Sequence, residues 1–294
     1  MSPKNLKWIF LCLLALVWGS SFILIKKGLV GLTALQVGSL RSVFAALFLL
    51  LIGVRSLKKI KGKQWKWIAF SGFFGTFFPA YLFSFAETEI DSAIVSILNS
   101  TTPLLSMLVG IFMFEAAFIR TKFIGVLVGL AGTVALILSG AAVNPNQNYW
   151  YSLLVILASL FYGFNANVIK KHLQSIPALA ITTGNFMVIA IPALIVLATT
   201  GFFSTEVLKA PDVQLSLLFV AVLGIVGTGA ALVVFNKLIQ ISDPVFSTSV
   251  TYLVPIVALG WGVLDGENFT LLQLFSGLLI LLGVLIVNKK AKKL

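Results

Sequence analysis

Apolar stretches of about twenty residues recur along almost the whole chain, separated by short segments that carry charges, prolines or glycines. A helix needs about 20 mostly apolar residues to cross a hydrocarbon layer that is ~30 Å thick. Charged residues make up 10% of the 294-residue chain, whereas soluble domains contain about 25%. The pattern therefore predicts an all-α integral membrane protein.

The chain is long enough for ten such helices with short connections and no sizeable soluble domain. Turn and charge signals separate the predicted helices, and Pro177 and Pro244 suit a first helical turn, where a missing N–H costs nothing. The ten predicted transmembrane helices cover residues 6–27, 35–54, 65–86, 92–114, 121–139, 149–170, 177–200, 214–239, 244–265 and 270–288.

The basic residues are distributed unequally between the two predicted membrane faces. If the N-terminus lies inside, 17 of the 21 Lys and Arg residues fall on the inner side and 3 on the outer side. Such asymmetry orients membrane helices, so both termini are expected in the cytoplasm and the protein in the cytoplasmic membrane. We attribute the net charge of +12 to this asymmetry and expect no nucleic-acid partner. Arg41 lies within a predicted helix, where we favour snorkelling to the outer interface over binding an anion.

The second half of the chain repeats the first. At an offset of 152 residues, Gly75, Asp91, Pro103, Glu115 and Gly125 align with Gly227, Asp243, Pro255, Glu267 and Gly277. Residues 1–140 and 141–294 would each hold five helices, and an odd number inverts the second copy in the membrane. Inverted repeats are typical of secondary transporters, because a site between the halves can open to either side. A duplicated scaffold without a transport role is the alternative.

Several segments resemble a known family. These are Trp18–Phe22 with Lys26, Arg41 with Ala45–Leu47, Asp91 through Pro103 to Glu115 with Gly125, and Asp243-Pro244 through Tyr252–Pro255 to Glu267 with Gly277. They are similar to EamA-domain members of the drug/metabolite transporter superfamily. The segment Tyr162–Asn165 departs from the Trp-Gly-Ser-Ser form of the first copy. The resemblance implies ten helices and the export or uptake of metabolites such as amino acids, nucleosides or amphipathic drugs.

Polar and aromatic residues within predicted helices are the candidates for substrate binding, because polar side chains in membrane helices tend to face the bundle interior. They are Trp18, Tyr81, Asn99, Tyr162, Asn165, Thr251 and Tyr252. Pro103 and Pro255 each remove a helical hydrogen bond from the carbonyl four residues earlier. The sequence leaves open whether these two kinks bind substrate or are only patched locally.

Three glycines predict helix packing rather than substrate contact. Gly125 and Gly129 form a small-xxx-small pair on the fifth predicted helix, and Gly277 matches Gly125 on the tenth. Such spacing lets two helices approach closely. We expect these helices to pack together outside the substrate path.

The chain lacks the motifs of several other functions. It has no G-x-x-x-x-G-K-[ST] loop for ATP, one cysteine and one histidine, so we expect neither a cofactor nor a metal site. Glu87 follows the third predicted helix, and we favour a solvated outer-loop carboxylate there. Protons and a counter-substrate both remain candidate coupling partners.

These observations favour a secondary transporter, not an enzyme, that works by alternating access. It would move a small metabolite or amphipathic compound, such as an amino acid, across the cytoplasmic membrane, with export as the expected direction. Its expected partners are the substrate and the lipid bilayer, and the chain is a monomer or a homodimer. The alternatives are a channel and a membrane-embedded enzyme acting on a lipid-like substrate, which usually needs acidic, histidine or metal-binding clusters.

Overall fold

The computed structural model of the chain describes residues 3–141, 148–264 and 271–288. Within these ranges every regular element is helical. A short helix, Thr205–Lys209, lies in the connection before the eighth long helix. The long helices are α1 (Pro3–Gly28), α2 (Ala34–Gly53), α3 (Gly62–Ala86), α4 (Val95–Phe114), α5 (Arg120–Ala141), α6 (Ser152–His172), α7 (Ala178–Thr199), α8 (Pro211–Ile241), α9 (Pro244–Trp261) and α10 (Leu271–Asn288).

Eight helices of the described residues are long and apolar enough to cross a membrane: α1–α4 and α6–α9. Large apolar side chains such as Leu51, Phe112 and Ile191 remain mostly exposed on their outer faces. Lipid can cover this surface, whereas water would leave the apolar area unburied at a high free-energy cost. The prediction of a helical, multi-pass membrane protein is confirmed.

Four helices are interrupted by non-α segments. A π-helical stretch widens α3 and another widens α8, and a 3₁₀ stretch tightens α4 and another tightens α9. Such interruptions commonly mark functional sites or hinges within long helices. The segments are Phe73–Phe77 and Leu223–Ala230 for the π-helices, and Asn99–Thr101 and Ser249–Tyr252 for the 3₁₀ stretches.

Hydroxyl groups satisfy the two carbonyls that Pro103 and Pro255 deprive of a helical partner. The Thr102 hydroxyl donates to the Asn99 carbonyl at 2.6 Å. The Ser100 hydroxyl donates to the Thr251 carbonyl at 2.7 Å and thereby joins α4 to α9. The carbonyls at both kinks are therefore patched by the protein, which leaves the neighbouring side chains as the groups available to a ligand.

Helices α5 and α10 approach each other closely at glycine. A Cβ atom added to Gly125 would lie 2.7 Å from the Val287 backbone nitrogen, and one added to Gly283 would lie 2.5 Å from the Gly129 backbone nitrogen. Backbone atoms cannot rotate away, so any side chain at these positions separates the helices. Gly277 lies within α10, but its surroundings fall outside what the structure describes.

Charged and polar groups predicted on the inner side meet at one end of the bundle. Lys122 Nζ pairs with Asp243 Oδ2 at 2.7 Å. Lys170 Nζ donates to the Ser242 carbonyl at 2.5 Å, at the C-terminal end of α8. The helix ends that the sequence assigns to a single face are thus neighbours in the fold.

Candidate functional site

A pocket lies inside the bundle and is lined by described residues of α1, α2, α3, α4, α6, α8 and α9. About 790 Å³ of space in it is free of protein atoms, a figure that includes open solvent. Aromatic side chains form much of its wall, and a few polar groups converge on it. The polar lining includes Arg41, Asn99, Asn165, Thr228 and Thr251.

Trp18 of α1 is one anchored part of the wall. Its Nε1 donates to the Gly227 carbonyl at 3.0 Å, within the π-helical stretch of α8. Its ring packs edge-on against Phe235 at a centroid distance of 5.0 Å. Because the indole donor is already used, Trp18 offers a fixed apolar surface to a ligand.

Tyr162 of α6 forms a second aromatic surface of the pocket. Its ring lies nearly parallel to that of Phe83, with centroids 5.8 Å apart and an interplanar angle of 20°. Both residues line the pocket. An apolar or flat portion of a ligand can therefore contact aromatic carbon on this side.

Asn99 and Thr251 bring the two 3₁₀ stretches to the pocket. The Asn99 Oδ1 atom lies 3.1 Å from the Thr102 hydroxyl, whose single hydrogen is shared between this atom and the nearer Asn99 carbonyl. The Thr251 hydroxyl donates to the Thr248 carbonyl at 2.9 Å. Both side chains are held by their own helices, so they present ordered polar atoms to the interior.

Asn165 of α6 is the most unusual polar residue of the lining. The residue is 5% exposed, and its Oδ1 atom is enclosed with no hydrogen-bond partner. Its amide packs against Gly75 in the π-helical stretch of α3, where an added Cβ would overlap the amide. An unpartnered buried acceptor costs about 1–3 kcal/mol, and a ligand donor would remove that cost.

Arg41 of α2 also lines the pocket. Its Nε donates to the Thr228 hydroxyl oxygen at 2.6 Å, and that hydroxyl donates in turn to the Leu223 carbonyl at 3.0 Å. The prediction that Arg41 snorkels to the outer interface is wrong, because the contact with α8 holds the side chain at the interior.

Glu87 directly follows the last residue of α3 and is half-buried. Its Oε2 accepts from the Ser92 hydroxyl at 2.9 Å, while its Oε1 is enclosed without a partner. Burial raises the pKa of the Glu87 carboxyl well above its ordinary value, and the Ser92 hydrogen bond and the charges of Arg41 and Lys26 offset part of this rise. The prediction of a solvated loop carboxylate is therefore wrong, because one carboxylate oxygen is enclosed and the other accepts a hydrogen bond from Ser92.

Tyr81 and Tyr252 are not among the residues that the structure brings to the pocket. The Tyr81 hydroxyl lies 2.9 Å from the Ser39 hydroxyl, between α3 and α2. Tyr252 is fully buried and donates to the Val126 carbonyl at 3.1 Å. Both rings point into helix–helix contacts instead of into the pocket, and their substrate contact stays a prediction.

Sequence reasoning overlooked Thr228 and Phe83 as lining residues. Thr228 carries a signal in the sequence, because the pair Gly75-Thr76 aligns with Gly227-Thr228 at the offset of 152 residues. Phe83 carries no comparable signal, since it is one of 25 phenylalanines in an apolar chain.

The fold defines a class: a multi-pass helical membrane protein with a pocket between its helices, lined in part by polar side chains. Residues 6–138 and 149–289 match the EamA-like transporter family. The chain therefore belongs to this family of membrane transporters, as the sequence resemblance indicated.

Curated relatives extend over nearly the full chain. The uncharacterized transporter YdfC of Bacillus subtilis is 28% identical over 95% of this chain and 89% of its own length. The uncharacterized inner membrane transporter YedA of Escherichia coli K12 is 25% identical over 94% of this chain and 88% of its own length. A protein of Salmonella typhimurium named "Probable amino-acid metabolite efflux pump" is 27% identical over 94% of this chain and 93% of its own length.

A solved crystal structure shares the fold. The superposition has a TM-score of 0.75 and covers 98% of this chain and 97% of the solved chain. The two sequences are 16% identical, so the likeness concerns the fold alone.

Proposed function

We propose that the chain is a secondary transporter that moves a small metabolite or amphipathic compound, such as an amino acid, across the cytoplasmic membrane by alternating access. The observation that carries this proposal is the pocket, in which Asn165 presents an enclosed acceptor without a protein partner. A transporter needs such a site within its bundle, reachable from either face in turn. One chain supplies every described lining residue, so a monomer would suffice for the site.

The proposed mechanism requires two inverted five-helix halves, residues 1–140 and 141–294. The two stretches matched by the family, 6–138 and 149–289, support this division. The interruptions support it as well: the π-helical stretches of α3 and α8 and the 3₁₀ stretches of α4 and α9 correspond at the repeat offset. Exchange of conformations between the halves would open the pocket to opposite sides.

The proposed direction of transport and the proposed substrate type rest on the name of one relative. The Salmonella protein is named as an amino-acid metabolite efflux pump, which supports export and an amino-acid-like substrate for this chain. The enclosed Asn165 acceptor suits a substrate with an N–H donor, such as an amino group.

The orientation can be tested with single cysteines. In a Cys12→Ser background, the variants Lys61→Cys and Thr88→Cys place one thiol on each predicted side of the membrane, at exposed positions. We expect a membrane-impermeant thiol reagent applied to intact cells to label Thr88→Cys and to spare Lys61→Cys until the cells are broken. Labelling in the opposite order would refute cytoplasmic termini.

Transport itself can be tested with purified protein in liposomes. We expect saturable flux of at least one compound from a panel of amino acids, nucleosides and amphipathic cations. Asn99→Ala should lower that flux about tenfold, because the variant removes an ordered amide from the pocket at a cost of about 1–1.5 kcal/mol. Asn148→Ala is the control, since Asn148 is exposed and outside the pocket. Wild-type flux through Asn99→Ala would remove this residue from the site.

The same assay addresses coupling. A pH gradient should accelerate the flux if protons are exchanged, and Glu87→Gln should abolish that acceleration because it removes the titrating group. Acceleration by a counter-substrate on the opposite side, unaffected by Glu87→Gln, would favour exchange instead. Absence of flux for every compound, from protein shown to be folded, would contradict the carrier proposal.

A further inference from the structure

Arg41 is the charged member among the described residues that line the pocket. A guanidinium carries five N–H donors, and the Thr228 hydroxyl takes the one on Nε. No ion pair of Arg41 with an acidic residue occurs in the part of the chain that the structure describes. A positive charge therefore faces a mostly apolar space, lined in part by aromatic rings, without a directly paired anion.

A half-buried cation that faces an apolar pocket is costly unless an anion approaches it, because the protein interior screens and solvates charge poorly. Glu87 interacts with Arg41 electrostatically but forms no ion pair with it. The space beside Arg41 belongs to the pocket that a substrate would occupy. We infer that Arg41 binds a carboxylate group of the transported compound, an assignment that rests on the proposed carrier function.

The Thr228 contact fixes the orientation of the guanidinium. The Thr228 hydroxyl gives its hydrogen to the Leu223 carbonyl, so its oxygen is free to accept from Arg41 Nε. With Nε held in this way, the two terminal nitrogens remain for a ligand. They form a planar fork that matches the two oxygens of a carboxylate.

The charge balance favours a carboxylate over a phosphate. Both are oxyanions that a guanidinium can bind, but a carboxylate carries one negative charge and a phosphate monoester carries nearly two at neutral pH. Arg41 supplies one positive charge, and the other described lining residues are uncharged. A dianion would leave an uncompensated charge in a poorly solvating space. The aromatic surfaces of Trp18 and Tyr162 then suit an apolar body attached to the carboxylate.

Matched pairs of acids and amides test this assignment. The full-length protein in detergent is titrated with phenylacetate and phenylacetamide, with 3-methylbutanoate and its amide, and with inorganic phosphate, and the unfolding temperature reports binding. Wild-type protein should bind each acid at least tenfold more tightly than its amide. Arg41→Gln should remove that preference, and Arg41→Lys, which keeps the charge without the fork, should retain part of it. Arg55→Gln is the control, because Arg55 is exposed outside the pocket.

The outcomes separate this inference from the proposed function. Equal binding of acid and amide, an undiminished preference in Arg41→Gln, or tighter binding of phosphate than of either acid would overturn the carboxylate assignment. Flux of neutral or cationic compounds in the liposome assay, unaffected by Arg41→Gln, would also overturn the carboxylate assignment. It would support the proposed carrier function. Conversely, Arg41-dependent binding of acids without flux of any compound would overturn the carrier proposal and leave the anion site.

Discussion

Replacing Asn165 by leucine should reduce transport by about five- to a hundredfold while leaving the protein folded. Leucine has nearly the shape of asparagine, so it can occupy the space beside Gly75. It lacks the enclosed oxygen that has no partner in the protein and that a substrate donor would satisfy. In the variant a substrate donor would be buried without a partner at a cost of about 1–3 kcal/mol, and each 1.4 kcal/mol corresponds to about a factor of ten.

The stability of Asn165→Leu distinguishes a binding group from a structural one. Removing an unsatisfied buried oxygen lifts a desolvation cost, so the unfolding temperature should stay the same or rise. Asn167 offers a matched comparison on the same helix. Its Nδ2 donates to the Ser106 carbonyl at 2.8 Å and to the Gly163 carbonyl at 2.9 Å. Asn167→Leu should therefore lower the unfolding temperature, because two hydrogen bonds of about 0.5–1.5 kcal/mol each are lost.

Liposome flux and thermal unfolding of these two variants give the decisive comparison. If Asn165→Leu unfolds at a much lower temperature than wild-type protein, Asn165 serves helix packing instead of the substrate. If it transports at the wild-type rate, the pocket oxygen has no part in binding.

Replacing Gly283 by alanine should destabilise the protein by about 1–3 kcal/mol through overpacking. The added Cβ would lie 2.5 Å from the Gly129 nitrogen and 2.6 Å from its Cα, so α5 and α10 must move apart. Gly125→Leu should act in the same way, since its Cβ would lie 2.7 Å from the Val287 nitrogen. Neither helix lines the pocket in the described residues, so the KM of the protein that remains folded should be unchanged.

Gly260→Ala is the control for this prediction. An added Cβ at Gly260 meets nothing within 4 Å, although the residue also lies in a long helix. Alanine is more favourable than glycine in a helix interior by about 0.5–1 kcal/mol, so this variant should be at least as stable as wild-type protein. Equal unfolding temperatures for Gly283→Ala and Gly260→Ala would refute a tight α5–α10 contact.

Much of the architecture follows from the sequence because the bilayer imposes simple rules. Apolar length predicts the helices, and the described bounds agree with the predicted ranges to within a few residues for most of them. Proline predicts where α4 and α9 depart from α-helical geometry, because Pro103 and Pro255 lack the N–H of a continuous ladder. Pro103 and Pro255 also belong to the segments that resemble the EamA family. The family match over residues 6–138 and 149–289 confirms this resemblance.

The orientation of individual side chains was decided by the tertiary structure. Along a helix that is apolar on all sides, lipid and protein core both accept the same residues, so composition does not reveal the inner face. Asn165 lines the pocket and Asn167 packs against α4, although they lie two residues apart on α6. Tyr252 points away from the pocket and Arg41 points toward it, the reverse of their predicted roles.

The sequence by itself therefore determined that lipid surrounds the protein, where its helices lie and where α4 and α9 are kinked, because these features depend on hydropathy and on local backbone chemistry. Its motifs also determined the family. The tertiary structure alone decided which polar groups share an enclosed space. That outcome depends on how each helix is rotated about its axis against several neighbours at once. Contacts between residues far apart in the chain, such as Arg41 and Thr228, fix this rotation.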